Sequence, residues 1–221
     1  MVTISEGQKR SIDNLQRLYT VVVSLAVTES LKRIFAPTET GVTIPSAPEG
    51  MMVTSLIATL IPFYHGANRY LDATYVTGER AAKHYALMLD FIALFVEGLL
   101  FFVLAMLIRN ERNFYIVLSI LLIFDSLWVV STMFSKEKIQ GTAVAEPKLV
   151  AWALLNIVSV LVILFFLFSN IWPTEDRRRI SALVVVILRT VIDYILLWSF
   201  YYPYNLHKQK EQSAKSAISG A

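Results

Sequence analysis

The residues able to do chemistry in this chain sit where water is scarce. His65, Arg69 and Asp72 lie in one apolar run, Asp90 and Glu97 in the next, Asp125 in the middle of a third, and Arg189 and Asp193 in the last. An ionisable group in such surroundings is costly and as a rule has a task. Spacing groups these residues further. Positions four, seven or eleven apart share one face of a helix. Thr54, Ala58, His65, Arg69 and Asp72 therefore form one stripe, Asp90 and Glu97 align with Ala93 between them, and Arg189 stands one turn from Asp193. Asn156 places a neutral amide in the remaining apolar run.

The charges do not balance. Asp72, Asp90, Glu97, Asp125 and Asp193 are opposed by Arg69 and Arg189, with His65 as a third cation. An unpaired charge at the centre of a bilayer costs ~2.5–3.5 kcal/mol even on the lenient insertion scale. The surplus acids must hold protons, face water or a bound cation, or meet a partner. One reading is a structural ion-pair network, with Arg69–Asp72 and Arg189–Asp193 as local pairs and Asp90 or Asp125 pairing across helices. Another is a hydrated, acid-lined path for cations. A catalytic centre is the thinnest reading. The histidines are His65, His84 and His207, with no HxxxH or HExxH pattern for a metal, no Gly-x-Ser-x-Gly elbow and no glycine-rich phosphate loop. No catalytic residue, metal site or cofactor is assigned. An intramembrane enzyme using His65 with Asp72, Asp90 or Glu97 as acid–base groups stays open in principle.

The elements that must position these groups are membrane helices. Of the 221 residues 56% are hydrophobic and only 17% charged, against about 25% charged in an ordinary soluble domain. Mean hydropathy is +0.56. The pattern predicts an all-α, polytopic bundle of about six transmembrane helices over 15–204, between a polar segment 1–14 and a polar tail 205–221. The expected spans are 15–35, 53–75, 85–108, 114–134, 149–171 and 180–202, each close to the length needed for ~30 Å of hydrocarbon. Pro62 predicts a kink in the second, and Gly66 local unwinding. Residues 36–52, with Pro37, Gly41, Pro45, Pro48 and Gly50, read as a loop. The first segment is the least apolar. Glu29 with Lys32 and Arg33 suits either an interfacial helix end or a helix lying on the membrane.

Lysine and arginine counts near the span ends set the orientation. With six spans and an inside N-terminus, Lys9, Arg10, Arg17, Arg80, Lys83, Lys136, Lys138, Lys148, Lys208, Lys210 and Lys215 fall inside, and Lys32, Arg33, Arg109, Arg112 and Arg177–Arg179 outside. Both termini are therefore expected in the cytoplasm, in a cell or inner membrane, with the arginine triplet as the main objection. A cleaved leader is not expected, because charges follow the first apolar stretch where small residues should stand. Without cysteine there is no disulfide or thiolate chemistry. The net charge of +3 comes without the basic-aromatic interleaving of a nucleic-acid groove, so no nucleic acid is expected.

In size and span count the chain resembles the small six-span cation channels of bacteria, whose first span carries a Phe-Ser-Asp signature. Here that span reads Leu18-Tyr19-Thr20-Val21-Val22-Val23-Ser24-Leu25-Ala26. The motif is absent, and no membership follows. The acidic interior points first to an ion-conducting channel, assembled as a homo-oligomer in the lipid bilayer and attracting cations. A membrane-embedded sensor, scaffold or effector working through a cytoplasmic protein partner is the second reading, and an intramembrane enzyme the third.

Overall fold

The computed structural model describes residues 6–38, 41–76, 81–82, 85–137, 149–169, 171–172 and 174–202. Helices dominate them: α1 (Glu6–Ile34), α2 (Ala47–Leu71), α3 (Ala86–Met106), α4 (Glu111–Ser135), α5 (Leu149–Phe168) and α6 (Glu175–Tyr201). A π-helical turn, Asp72–Val76, extends α2. Two pairs of two-residue strands complete the inventory, Pro37–Thr38 with Gly41–Val42 and Ala81–Ala82 with Lys136–Glu137. The polar turn Thr77–Arg80, the Lys83–His84 pair, the loop after Glu137, Pro173 and the tail with Tyr204 and His207 lie outside the described residues.

The expected all-α bundle is what forms. Five of its helices, α2 with its extension and α3 to α6, are long and apolar enough to cross a membrane. The sixth, α1, has the length but not the apolarity. It nevertheless runs the height of the bundle beside α2. Near one end Gln16 donates to the Asn68 carbonyl at 3.4 Å, and the Thr20 and Tyr64 hydroxyls meet at 2.9 Å. Near the other end Arg109 donates to the Arg33 carbonyl at 2.7 Å. A helix lying across the membrane surface would not make both sets of contacts. It also begins at Glu6, within the polar segment 1–14 rather than at residue 15.

The helices close into a ring in the order α1, α3, α4, α5, α6, α2, and α2 also reaches inward to α3 and α4. Accordingly α2 is the most buried span, at 56% against 28–50% for the others. Large side chains such as Leu161, Phe165, Ile195 and Trp198 cover the outside. Close approach is set by two glycines. A Cβ on Gly98 would lie 2.7 Å from Val22 of α1, and one on Gly66 would lie 2.6 Å from the Trp152 indole of α5.

Two local expectations are corrected. Residues 47–50 are the first turn of α2, not loop. Ser46 and Glu49 form a reciprocal capping box, with Ser46 N–H donating to Glu49 Oε2 at 2.9 Å and Glu49 N–H to Ser46 Oγ at 3.4 Å, and Pro48 sits in the first turn, where it has no hydrogen bond to lose. The local unwinding expected at Gly66 does not occur, and the helix stays continuous from Ala47 to Leu71 with Pro62 inside it. Proline has no N–H to give the carbonyl four residues earlier. That carbonyl, on Ala58, instead accepts from the Thr190 hydroxyl of α6 at 2.7 Å. The proline thus creates an acceptor, and a neighbouring helix fills it.

At the end where α3 turns into α4, ion pairs join separate helices. Arg109 meets Glu49 at 2.9 Å, and Arg178 and Arg179 meet Glu111 at 3.3 and 2.6 Å. Part of the arginine triplet is therefore committed to clamping α6 onto α4.

The Thr190–Ala58 bond generates a test. Thr190→Val should destabilise the detergent-solubilised protein by about 1 kcal/mol. In the Pro62→Ala background the same substitution should cost much less, because the Ala58 carbonyl regains a backbone donor. Thermal unfolding of the four proteins checks the cycle.

Candidate functional site

The site is built outward from Arg189 and Asp193, one turn apart on the inner face of α6. Their side chains are 1% and 0% exposed, with Nη2 and Oδ2 3.1 Å apart. Arg189 Nε donates to Asn156 Oδ1 of α5 at 2.9 Å, and Asn156 Nδ2 donates to Asp125 Oδ2 of α4 at 2.6 Å. A guanidinium can only donate and an ionised carboxylate only accept. An amide, with one of each function, is the side chain that can stand between them. Asp125 in turn touches Glu97 of α3. Two ionised carboxylates have no donor between them, so a hydrogen bond at this contact requires a proton on one. The Tyr19 hydroxyl of α1 lies beside Glu97 without a well-formed hydrogen bond. From α2, the Phe63 ring sits under the Arg189 guanidinium with 5.0 Å to its centroid, a cation–π contact that is strongest away from water.

Each of the six helices thus contributes a side chain to one buried cluster. It holds three carboxyls, of Glu97, Asp125 and Asp193, and one guanidinium, which pairs directly with Asp193 and reaches Asp125 through Asn156. Among the described residues, Arg189 Nη1 and Nη2, Asp193 Oδ2, Glu97 Oε1 and the Tyr19 hydroxyl have no hydrogen-bond partner. The Arg189–Asp193 contact is accordingly an attraction of charges at short range rather than a well-directed hydrogen bond.

The cluster continues towards one end of the bundle. The Tyr201 hydroxyl donates to Asp193 Oδ1 at 2.8 Å. Its ring stacks on His65, with centroids 4.6 Å apart, and the Tyr202 ring meets His65 edge-on at 5.3 Å. His65 Nδ1 and the Tyr194 hydroxyl are 3.4 Å apart. One turn further, Arg69 Nε donates to the Phe200 carbonyl at 3.0 Å and Nη1 reaches Asp72 Oδ2 at 3.4 Å. The last carbonyls of a helix lack intrahelical donors, and a cation there also meets the negative end of the helix dipole. Arg69 therefore caps α6. The stripe expected on α2 is its seam with α6 at Ala58, His65 and Arg69, whereas Thr54 is exposed.

Asp90 belongs elsewhere. It shares a helix face with Glu97, but seven residues are ~10 Å along the axis, and different neighbours stand at the two levels. Both carboxylate oxygens of Asp90 accept from the Tyr70 hydroxyl at 3.2 Å, Oδ2 from the Tyr75 hydroxyl at 2.6 Å, and Oδ1 from the Trp128 indole at 3.1 Å. Tyr75 lies in the π-helical turn, a geometry rare outside functional or strained segments. Trp128, which reads in the sequence as membrane packing, is a polar partner here. Tyr19, Tyr70, Tyr75, Tyr194 and Tyr201 also escape a reading that counts only charges. The signal that could have found them is the donor requirement of each buried carboxylate.

Among the described residues no three of His, Asp and Glu are grouped to hold a metal ion. What the cluster offers chemically is buried acidity, a fixed cation and a string of hydroxyl and imidazole groups. Compared with known proteins, the chain matches no family model, no curated protein and no solved structure, so the functional reading rests on this geometry.

Removing one member of a buried ion pair costs far more than replacing both. Arg189→Met should lower stability by about 3–5 kcal/mol or prevent recovery of folded protein. Arg189→Met combined with Asp193→Leu should recover a substantial part of that loss. Midpoints of thermal unfolding in one detergent decide it.

Proposed function

We propose that this is a cation-conducting membrane protein of the channel type, in which a buried acidic chain draws and holds the ion. The observation that carries this reading is the excess of carboxyl groups in a cluster to which all six helices contribute: Glu97, Asp125 and Asp193 with the one guanidinium of Arg189. Such a surplus inside a bilayer is expensive unless a cation offsets it, and carboxylates at a constriction are a recurrent means of selecting cations. The continuation through Tyr201 to half-buried His65 supports a connection to one membrane face. Because the cluster closes within one chain, each copy has its own pathway. A homo-oligomer would then be an assembly of separate paths rather than a ring around a shared pore. In the proposed orientation the His65 end, where α1 begins and α6 ends, faces the cytoplasm.

The test is flux in liposomes holding the purified full chain, under imposed potassium, sodium and proton gradients. Wild-type protein should dissipate at least one gradient faster than empty vesicles. Glu97→Gln and Asp125→Asn should slow this about tenfold or more, equivalent to ~1.4 kcal/mol on the barrier. Asp90→Asn, outside the cluster, should have a smaller effect. Wild-type flux at the level of empty vesicles in all three gradients would overturn the reading and leave the cluster as a device for assembling the bundle.

A further inference from the structure

We propose that the touching carboxyls of Glu97 and Asp125 form a proton site, one proton shared between the two, loaded and released only from the His65 end. This rests on the cation reading above and names its ion.

The identity of the ion follows from what surrounds the pair. Glu97 and Asp125 are each 1% exposed and in contact. Two negative charges at that range in a low-dielectric interior repel strongly, and a proton between them removes the repulsion. A metal cation would need several further oxygens, six or so for the common divalent ions. Asp125 has already committed Oδ2 to the Asn156 amide at 2.6 Å, and among the described residues no third acid or histidine completes a metal-binding group. A proton needs only the two facing oxygens. The charged and titratable groups around the pair are Tyr19 from α1 beside Glu97, and Arg189 and Asp193 from α6 acting on Asp125, while α5 presents neutral Asn156. The contact from α2 is the apolar Phe63, against Arg189. Arg189 is matched by Asp193, and one shared proton lowers the charge of the Glu97–Asp125 pair from two to one, with the Asn156 amide donating to the carboxyl of Asp125.

Access is asymmetric. Towards the His65 end, polar groups succeed one another from Asn156 through Arg189, Asp193 and Tyr201 to His65. Arg189 Nη1 and Glu97 Oε1, which have no hydrogen-bond partner among the described residues, lie in this same interior. Buried polar atoms of that kind are normally satisfied by internal water, which also carries protons past a guanidinium that cannot. Towards the other end the chain runs into Phe101, Leu104, Leu118, Leu121, Leu122 and Val186, none more than 2% exposed. Of the hydroxyls there, Thr59 donates to the Ser55 carbonyl at 2.9 Å and Ser119 to the Tyr115 carbonyl at 2.8 Å, while those of Ser55 and Tyr115 lie 3.5 Å from each other. Among the described residues no side-chain hydrogen bond links any of them to Glu97 or Asp125.

Infrared difference spectroscopy of the full chain in nanodiscs tests the site without a transport assay. At neutral pH a protonated-carboxyl band should be present and should shift in heavy water. Part of it should shift when glutamate carboxyl carbons are isotopically labelled, which requires no substitution. Glu97→Gln should remove that component and Asp125→Asn should shift its frequency, because the hydrogen-bonded partner carboxyl is lost, while Asp90→Asn should leave it. His65→Phe should keep the component but slow its exchange after a pH jump about tenfold. Absence of a glutamate-labelled component, or its unchanged frequency in Asp125→Asn, would overturn the shared proton. Unchanged exchange in His65→Phe would overturn the access route. Metal-ion flux without the band would refute the proton site and leave the conductance reading standing. The band without any flux would do the reverse.

Discussion

A guanidinium cannot shed its charge, and Arg189 is held in the interior of an apolar bundle. Everything near it is arranged to meet that constraint. Asp193 supplies the opposite charge from one turn away, Asn156 takes the one well-directed hydrogen bond, and Phe63 offers the face of its ring. A buried ion pair adds little net stability over apolar residues of the same volume, because desolvation offsets the Coulomb gain. Its effect is on register. Asn156 meets Asp125 only if α4 and α5 stand at one relative height, and Asp125 meets Glu97 only if α3 does as well. A one-turn slip of any of them, about 5.4 Å, would strand a polar group in hydrocarbon.

The centrally placed α2 shows how such a bundle absorbs awkward residues. Pro62 leaves a carbonyl without a donor, and Thr190 of α6 fills it. Gly66 lets the Trp152 ring approach the helix backbone. The helix then ends in a wide π turn that carries Tyr75 to Asp90. In each case a local departure from ideal helix chemistry is answered by one side chain on a neighbour. The two acid sites also differ in kind. Among the described residues Asp90 accepts from three neutral donors, two phenols and an indole, which anchor the joint between α2, α3 and α4. The inner cluster combines fixed charges with unsatisfied atoms, and that combination makes it the better candidate for handling an ion.

Much of this was legible in the sequence. Apolar runs of bilayer length dictated an all-helical membrane bundle, since a backbone in hydrocarbon must satisfy its own hydrogen bonds. Helical spacing put His65 and Arg69 on one face and Arg189 one turn from Asp193, and both local pairs, Arg69–Asp72 and Arg189–Asp193, are present. The surplus of acid over base was a matter of counting. Some local chemistry was readable and misread. Ser46-x-x-Glu49 with Pro48 is a helix start, but the weight of proline and glycine nearby made it look like loop. Glu29, Lys32 and Arg33 left open whether α1 stands along the bundle or lies across it, because apolarity alone does not reveal a helix that packs along its full height.

What only the tertiary structure decided is which acid meets which partner. Asp90 and Glu97 share a helix face and look like one site, yet Asp90 faces phenols and an indole while Glu97 faces another carboxyl. That difference depends on the order of helices around the ring, where α3 lies between α1 and α4, and on their relative heights. Neither follows from periodicity, which describes a helix about its own axis and says nothing of what stands opposite. The sequence by itself determined that the chain carries buried charge it cannot balance locally. The packing of six helices determined that Glu97, Asp125 and Asp193 collect with Arg189 while Asp90 stands apart.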